Sequence, residues 1–309
     1  MKKFFIVLLA FSLFVVVTAC GASSEQKKVT IMTPYLSSVT TNEMVETLKK
    51  LGAERGWKMN VVDTKGDVGQ LASRMEDVIT SKTDAIVLVS TDPNQVKSQI
   101  QLAAQQNIPV FGCDAGYIEG MKMNATSNNK EMSKMITHYL FEKMNQQGNL
   151  VVLTHRPHPG VLQRTQQLDQ MLKQNPKIKK VTEQHVKVPG PIENARKQME
   201  SLLLANKQPG KITAVWAGWD ETAIGAAQAI QSAGRKDIVV TGIDGNSQAI
   251  EMIRKGSPLI ATVKQNFKGM AELVVKQLDR VFQGKEVEGK ELYAPASLIT
   301  KESLQKQKQ

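Results

Sequence analysis

Residues 84–112 read DAIVLVSTDPNQVKSQIQLAAQQNIPVFG, and this stretch contains the pattern of a strand, a helix and a second strand. The run Asp84–Ser90 is continuously apolar in its middle, which is typical of a strand buried on both faces of a parallel sheet. Asp92 and Pro93 suit the start of a helix, because a proline at the first helical position needs no amide hydrogen. Ile108–Gly112 has the composition of the next strand. The stretch therefore predicts a β-α-β unit with parallel strands.

The same alternation of short apolar runs and amphipathic segments continues on both sides of this unit. The other predicted strands are Val29–Thr33, Lys58–Val62, Met121–Thr126, Gly148–Thr154, Ile178–Val188, Ile212–Ala217 and Ile238–Ile243. The other predicted helices are Asn42–Arg55, Val68–Ser81, Lys130–Met144, Gly160–Gln174, Ile192–Asn206, Glu221–Ala233 and Ser247–Lys255. The segments Leu259–Val263, Asn266–Phe282 and Leu292–Ala296 could join either set of elements. The pattern predicts an α/β protein with two β-α sets, each large enough to form its own domain.

The amino terminus has the pattern of an export signal. Lys2 and Lys3 precede the apolar run Phe4–Val17, and small residues lead to Cys20. The run is shorter than the roughly 20 residues that a membrane-spanning helix needs. The segment resembles a bacterial lipobox, which implies cleavage of residues 1–19, a lipid on Cys20 and a polar tether over residues 20–28. An uncleaved anchor and an ordinary signal peptide are the alternatives.

Composition excludes several classes of protein. The chain has 309 residues and a formal net charge of +11, but its lysines and arginines are scattered along predicted helix faces. No basic stripe interleaved with aromatic residues occurs, so we expect no nucleic-acid partner. The only cysteines are Cys20 and Cys113. A lipid on Cys20 would leave Cys113 without a partner, and we expect Cys113 to be a small buried apolar residue.

Polar and aromatic residues at strand ends are the candidates for a binding site, because open α/β sheets bind ligands beyond the carboxyl ends of their strands. Asp114 and Asp244 each follow a predicted strand. A carboxylate accepts hydrogen bonds from vicinal hydroxyls, so the pair would suit a polyhydroxylated ligand. Tyr35 and Trp219 also follow strands and could pack against the apolar face of a sugar. Alternatively, the two carboxylates cap helices or shape turns, and Tyr35 covers a lobe edge.

The segment His155–Gly160 is unusual because it places two histidines, an arginine and two prolines at a strand end. His155 or Arg156 could contact an anionic or hydroxyl-rich ligand. His155 and His158 could also ligate a metal, but no nearby cysteine or carboxylate completes a set, so we predict no metal site. The third alternative is that the prolines stiffen the loop and that its side chains bind neither a ligand nor a metal.

Several stretches together carry a family resemblance. They are Asp84–Leu88 with Thr91–Pro93, Asn107–Asp114, Ala214–Glu221 with Ile224–Ala226, Val240–Gly245 and Ile260–Gln265. On these motifs the chain resembles the sugar-binding, type I branch of periplasmic binding proteins, the ribose-binding group. The resemblance implies two doubly wound lobes joined by three crossovers near Ala125, Gln265 and Pro295. The expected lobes are residues 29–126 with 266–294 and residues 127–265 with 295–309.

The resemblance also implies residue roles. It places sugar hydroxyls on Asp114 and Asp244, and Gln265 matches a binding glutamine at the second crossover. Two departures set the chain apart from the ribose pattern. Ala115 stands where that pattern has an arginine, and the position aligned with a second binding arginine falls near Leu162. These departures argue against ribose itself.

The function implied is that of a non-catalytic, lipid-anchored binding protein that captures a sugar or polyol and delivers it to an ABC permease. We expect a monomer at the extracytoplasmic face of the membrane, without a cofactor. A sensor that presents a sugar or an autoinducer-2-like signal to a receptor or kinase is the main alternative. A transcription regulator would need a helix-turn-helix before Val29, where the export signal lies. No motif of a hydrolase or of another enzyme occurs.

Overall fold

The computed structural model describes residues 26–306 and contains two α/β lobes. The first part of the chain alternates strands and helices. These elements are β1 (Lys28–Thr33), α1 (Val39–Ala53), β2 (Lys58–Asp63), α2 (Val68–Thr80), β3 (Ala85–Val89), α3 (Lys97–Gln105), β4 (Val110–Cys113) and β5 (Met123–Thr126). A single 3₁₀ turn, Pro93–Val96, precedes α3 and begins at the predicted Asp92–Pro93 start, where the Asp92 carboxylate accepts a hydrogen bond from the Asn94 amide.

The middle of the chain continues the alternation. Its elements are α4 (Asn129–Lys143), β6 (Gly148–Thr154), α5 (Pro159–Gln174), β7 (Ile178–His185), α6 (Pro191–Ala205), β8 (Ala214–Ala217), α7 (Asp220–Ser232), β9 (Val239–Asp244), α8 (Ser247–Lys255) and β10 (Leu259–Lys264). The last part contains α9 (Phe267–Phe282), β11 (Glu291–Tyr293), β12 (Ser297–Thr300) and α10 (Lys301–Lys306).

The strands form two six-stranded sheets. The first has the order β11-β5-β4-β3-β1-β2 and is parallel throughout. The second has the order β12-β10-β9-β8-β6-β7, and only β12 is antiparallel to its neighbour. The chain passes between the sheets after β5, after β10 and between β11 and β12. The prediction of an α/β fold with two parallel-sheet lobes is confirmed.

Each sheet is covered by helices on both faces, so each lobe has two apolar cores. In the first lobe, one core packs α1 and α9 against the sheet and the other packs α2 and α3. In the second lobe, α6, α7 and α8 cover one face while α4 and α5 cover the other. Because α9 packs on α1, this late helix belongs to the first lobe although it follows β10 in sequence.

A few element boundaries differ from the sequence-based prediction. The run Leu292–Ala296, which could have joined either set, begins in β11 of the first sheet and then crosses over, since β12 of the second sheet starts only at Ser297. The predicted strand Ile178–Val188 ends at His185, before the segment that leads to the cis peptide of Pro189. Helix α1 begins three residues earlier than the predicted Asn42.

The expectation that Cys113 is buried agrees with the structure. Cys113 is fully buried, with its sulfur 3.5 Å from that of Met44. Trp216 lies in the second-lobe core, where its indole N–H donates to the Thr137 hydroxyl at 3.0 Å. The predicted signal segment, Cys20 and most of the tether lie outside the described residues. Within residues 26–306, no helix is long and apolar enough to cross a membrane.

Candidate ligand site between the lobes

The carboxyl ends of the two sheets face each other across a narrow cavity of about 50 Å³. The first lobe contributes residues after β1, after β3 and after β4, and the second lobe contributes residues after β6, β8 and β9, as expected for doubly wound sheets. The lining residues are Tyr35, Ser38, Thr40, Thr41, Ser90, Asp114, His155, His158, Val161, Arg164, Val188, Trp219, Glu221 and Asp244. Five of the seven site residues predicted from the sequence are among them: Tyr35, Asp114, His155, Trp219 and Asp244.

Three of these lining residues adopt backbone conformations that a non-glycine residue rarely takes. Ser90 and Asp114 have φ angles of 52° and 51°, and Asp244 has a φ of 143°. Each lies at the end of a strand, where the chain turns away from the sheet. Backbone strain of this kind costs on the order of 1–3 kcal/mol per residue and clusters at functional sites. The conformations therefore support a functional role for the two carboxylates.

Asp114 is held at the first-lobe rim. Its amide donates to the Ala125 carbonyl at 2.7 Å, and its carboxylate accepts from the Thr126 hydroxyl at 3.2 Å. Burial raises the pKa of Asp114 to about 6, although Arg164 and Thr126 oppose this shift. The carboxylate thus faces the cavity with unused acceptor capacity, because one hydroxyl occupies only part of its two oxygens.

Asp244 is held at the second-lobe rim by the predicted glutamine. The Gln265 amide group donates to Asp244 Oδ1 at 2.9 Å, and the Gln265 backbone N–H donates to the Asp244 carbonyl at 2.9 Å. Burial raises the pKa of Asp244, with Arg164 acting against the shift and Asp220 adding to it. Gln265 is buried but does not line the cavity, so its contact in this structure is with Asp244.

Arg164 lies at the centre of the site and was not identified from the sequence. Its guanidinium donates to Asn129 Oδ1 at 2.7 Å and to the Gly218 carbonyl at 3.0 Å, and lies 3.6 Å from Asp244 Oδ1. Its side chain is 2% exposed. The expectation that an arginine is absent near Leu162 is thus wrong, because Arg164 extends into the cavity from the first turns of α5.

A sequence signal for Arg164 did exist. The buried residues of α5 include Val161, Thr165 and Leu168, and Arg164 lies on this same face. An arginine among apolar residues at helical spacing is rarely buried unless it has partners. The position of Arg164 on the buried face therefore indicates a functional arginine. The alignment by residue count, which ended near Leu162, did not identify it.

His155 and Tyr35 meet across the cleft. His155 Nδ1 lies 3.0 Å from the Val186 carbonyl, which can only accept, so the Nδ1 atom carries the proton. The other nitrogen, Nε2, is therefore an acceptor for the Tyr35 hydroxyl at 3.4 Å. Burial lowers the pKa of His155 and raises that of Tyr35. Both groups are consequently neutral near pH 7, and they form one direct contact between the lobes.

A second contact between the lobes involves residues that the sequence analysis did not select. The Ser38 hydroxyl donates to Glu221 Oε2 at 2.8 Å. Ser38 is the residue before α1, but its hydroxyl makes no capping hydrogen bond to that helix because it is directed to the other lobe. Glu221 lies in the first turn of α7, and burial raises its pKa.

Arg156 points away from the cavity. Its guanidinium binds Glu183 at 2.6 Å and Asp169 at 3.0 Å on the outer side of the loop. We therefore leave Arg156 out of the candidate site. Asp220 accepts hydrogen bonds from the Gly245 and Asn246 amides and so shapes the loop after Asp244. Among residues 26–306, no cluster of three or more His, Cys, Asp or Glu side chains could hold a metal ion.

Comparison with known proteins agrees with this architecture. The family model described as a periplasmic binding protein domain matches residues 29–286. The ribose import binding protein RbsB of Bacillus subtilis is 30% identical, with 97% of this chain and 99% of that protein covered. The xylitol-binding protein of Mycolicibacterium smegmatis is 25% identical, with 93% and 82% covered.

Solved structures give the same result. An ABC sugar transporter subunit from Rhodobacter sphaeroides matches with a TM-score of 0.85 at 26% identity, covering 89% of this chain and 98% of that chain. An ABC transporter solute binding protein from Agrobacterium vitis with bound allitol matches with a TM-score of 0.86 at 25% identity, covering 92% and 98%. The chain therefore belongs to the periplasmic binding protein family and has its type I fold of two α/β lobes.

Proposed function

We propose that this protein is the substrate-binding subunit of an ABC importer and that it captures a sugar or polyol in the cavity between its lobes. The observation that carries the proposal is the pair Asp114 and Asp244, one from each lobe, facing one cavity beside Arg164. The named relatives bind ribose or xylitol, and the Agrobacterium vitis structure holds allitol, which supports this ligand class. Their family consists of binding proteins and not of enzymes.

Binding would act through closure of the lobes. A ligand shifts an open–closed equilibrium only when it interacts more strongly with one state, and a ligand that contacts both rims meets that condition. Ligand hydroxyls would donate to Asp114 and Asp244, while Arg164 would donate to a ligand oxygen. Hydrogen bonds to ionised groups contribute about 1.5–3 kcal/mol each, so a few of them suffice for tight binding.

The cavity favours a compact ligand. Its volume of about 50 Å³ corresponds to room for about four water molecules, if each needs roughly 10–15 Å³. A monosaccharide or a short polyol can displace that water with a small opening of the lobes, whereas a disaccharide would require the lobes to separate. We therefore propose a ligand of single-sugar size.

The remaining expectations are also proposals. We propose that Cys20 carries a lipid after removal of residues 1–19, that the protein acts as a monomer at the outer face of the membrane, and that its closed form docks on an ABC permease. Transport is favoured over sensing because the Bacillus subtilis relative, which matches almost the whole chain, is a ribose import binding protein. Replacement of Cys20 by serine should release the protein from the membrane fraction of the cells that make it.

Isothermal titration with D-ribose, xylitol and allitol tests the ligand class. We expect micromolar or tighter binding of at least one compound, and loss of that binding in Asp114→Ala and Asp244→Ala. Arg156→Ala is the matched control, because Arg156 lies in the loop after β6 but its guanidinium forms its hydrogen bonds with Glu183 and Asp169 on the outer side. Absence of binding to every member of a wider panel of sugars and polyols would contradict the proposal.

A further inference from the structure

The loop between β6 and α5 fixes the ring of His158 at the start of a helix. His158 is the residue before α5, and its Nδ1 atom lies 3.1 Å from the Gly160 amide and 3.4 Å from the Val161 amide. Both amides can only donate, so Nδ1 acts as an acceptor and carries no proton. The proton of the neutral imidazole must therefore be on Nε2.

The surroundings of His158 keep the ring neutral. The charged and titratable groups around it are Asp114 and Tyr35 from the first lobe and Arg164 and His155 from its own lobe. Burial, followed by repulsion from Arg164 and His155, lowers the pKa of His158 to about 3. At neutral pH its Nε2–H is thus a permanent hydrogen-bond donor with one orientation.

This donor faces the other lobe. His158 Nε2 lies 3.7 Å from Asp114 Oδ2, which is too long for a hydrogen bond but leaves the two atoms side by side at the cavity. The donor and the acceptor belong to different lobes. A single ligand oxygen can lie within hydrogen-bonding distance of both atoms.

We infer that His158 is a ligand-binding residue whose Nε2–H donates to one hydroxyl of the ligand while the same hydroxyl donates to Asp114. The inference rests on the proposed function and adds a residue and a selection rule to it. Because the hydroxyl would contact both lobes at once, it would bind the closed state more strongly than the open state and so favour closure. His158 then both caps α5 and donates a hydrogen bond to this hydroxyl.

The pair His158 and Asp114 favours ligands that have a hydroxyl at this position. A hydroxyl accepts from His158 and donates to Asp114, whereas a ketone or an ether can only accept. A deoxy carbon makes neither bond and leaves both buried groups without a partner. A carboxylate or phosphate would be repelled by Asp114. We therefore expect neutral polyols and sugars to bind in preference to their deoxy, keto or acidic counterparts.

Two substitutions separate the roles of His158. In His158→Asn the shorter side chain still caps α5, since asparagine is a preferred cap, but it cannot reach the cavity as the imidazole does. In His158→Ala both roles are lost. For whichever of xylitol, allitol and D-ribose binds the full-length protein, we expect His158→Asn to bind about tenfold more weakly with an unchanged Tm. His158→Ala should bind equally weakly and also have a lower Tm. Equal binding by His158→Asn and the parent would overturn the inference.

A measurement without ligand keeps the test independent of the compound chosen. The imidazole ¹⁵N chemical shifts of His158 should report a protonated Nε2, a bare Nδ1 and no titration between about pH 5 and pH 8. A protonated Nδ1, or titration near the ordinary pKa of about 6.5, would overturn the inference even if sugars bind. The expected shifts without binding of any compound would instead refute the proposed function.

Discussion

Replacement of Arg164 by methionine would leave the Asp244 carboxylate buried without its cationic partner. The two groups lie 3.6 Å apart with side-chain exposures of 2% and 4%, so water cannot replace the lost interaction. Removal of one partner from a buried ion pair costs about 3–5 kcal/mol. Protonation of Asp244 limits this cost, because neutralising a carboxyl of ordinary pKa at pH 7 requires about 4 kcal/mol. We expect Arg164→Met to lower the free energy of unfolding by about 3–4 kcal/mol at pH 7.

The pH dependence of this loss has a definite sign. Burial already raises the pKa of Asp244, and removal of Arg164 would raise it further. The folded carboxyl then holds a proton that the unfolded chain has released, so stability falls as pH rises between the two pKa values. The parent follows the same trend below its own raised Asp244 pKa, so the destabilisation should shrink as pH falls between the pKa of the variant and that of the parent, at about 1.36 kcal/mol per pH unit.

Urea unfolding followed by tryptophan fluorescence measures this effect, since Trp216 and Trp219 both lie in the second lobe with Arg164. Arg196→Met is the matched control, because Arg196 forms an exposed ion pair with Glu193, and we expect a change below about 1 kcal/mol. In the background of Asp244→Asn, Arg164→Met should cost much less than alone. A loss below about 1 kcal/mol at pH 7, or an equal loss at pH 5, would refute this account of the site.

Three further substitutions test other parts of the structure. Ser38→Ala removes the hydrogen bond to Glu221 between the lobes, and we expect the affinity for the bound sugar or polyol to fall up to about tenfold with little change in Tm; unchanged titration curves would count against this contact. Arg156→Ala should reduce stability by less than about 1 kcal/mol and leave the affinity unchanged, and a clear loss of binding would return Arg156 to the site. Gly225→Ala places a methyl group against the Ile192 carbonyl where α6 and α7 pack, so thermal unfolding should show a loss of at least about 2 kcal/mol, and a Tm equal to that of the parent would contradict the close packing.

The order of strands and helices could be predicted because it depends on local pattern. Continuous apolar runs such as Asp84–Ser90 indicate buried parallel strands, and helix periodicity marked most of the helices between them. The pattern did not decide which lobe Leu292–Ala296 joins, since a short segment carries no local feature that names its sheet. The pairing of β11 with β5, which is distant in sequence, decided that point.

The candidate site likewise contains residues that the sequence could identify and residues that it could not. Asp114, Asp244 and Trp219 could be found because each follows a strand, and the carboxyl ends of parallel strands meet at one edge of a sheet. Arg164 and Glu221 were missed because they lie on helices, where orientation towards the cavity depends on how the helix packs. Arg156 was selected for its place in the loop, but Glu183 and Asp169 hold it on the outer side.

The sequence by itself determined the α/β class, the presence of two lobes and the two acidic strand ends, since these follow from periodicity and chain direction. Only the tertiary structure decided which groups meet across the cavity. The contacts of Ser38 with Glu221, of Tyr35 with His155 and of His158 beside Asp114 join residues more than 40 positions apart. The distances within these contacts depend on how the lobes approach each other, and the protonation states of the two histidines depend on burial. Neither the approach of the lobes nor the burial of a side chain is encoded in a local sequence pattern.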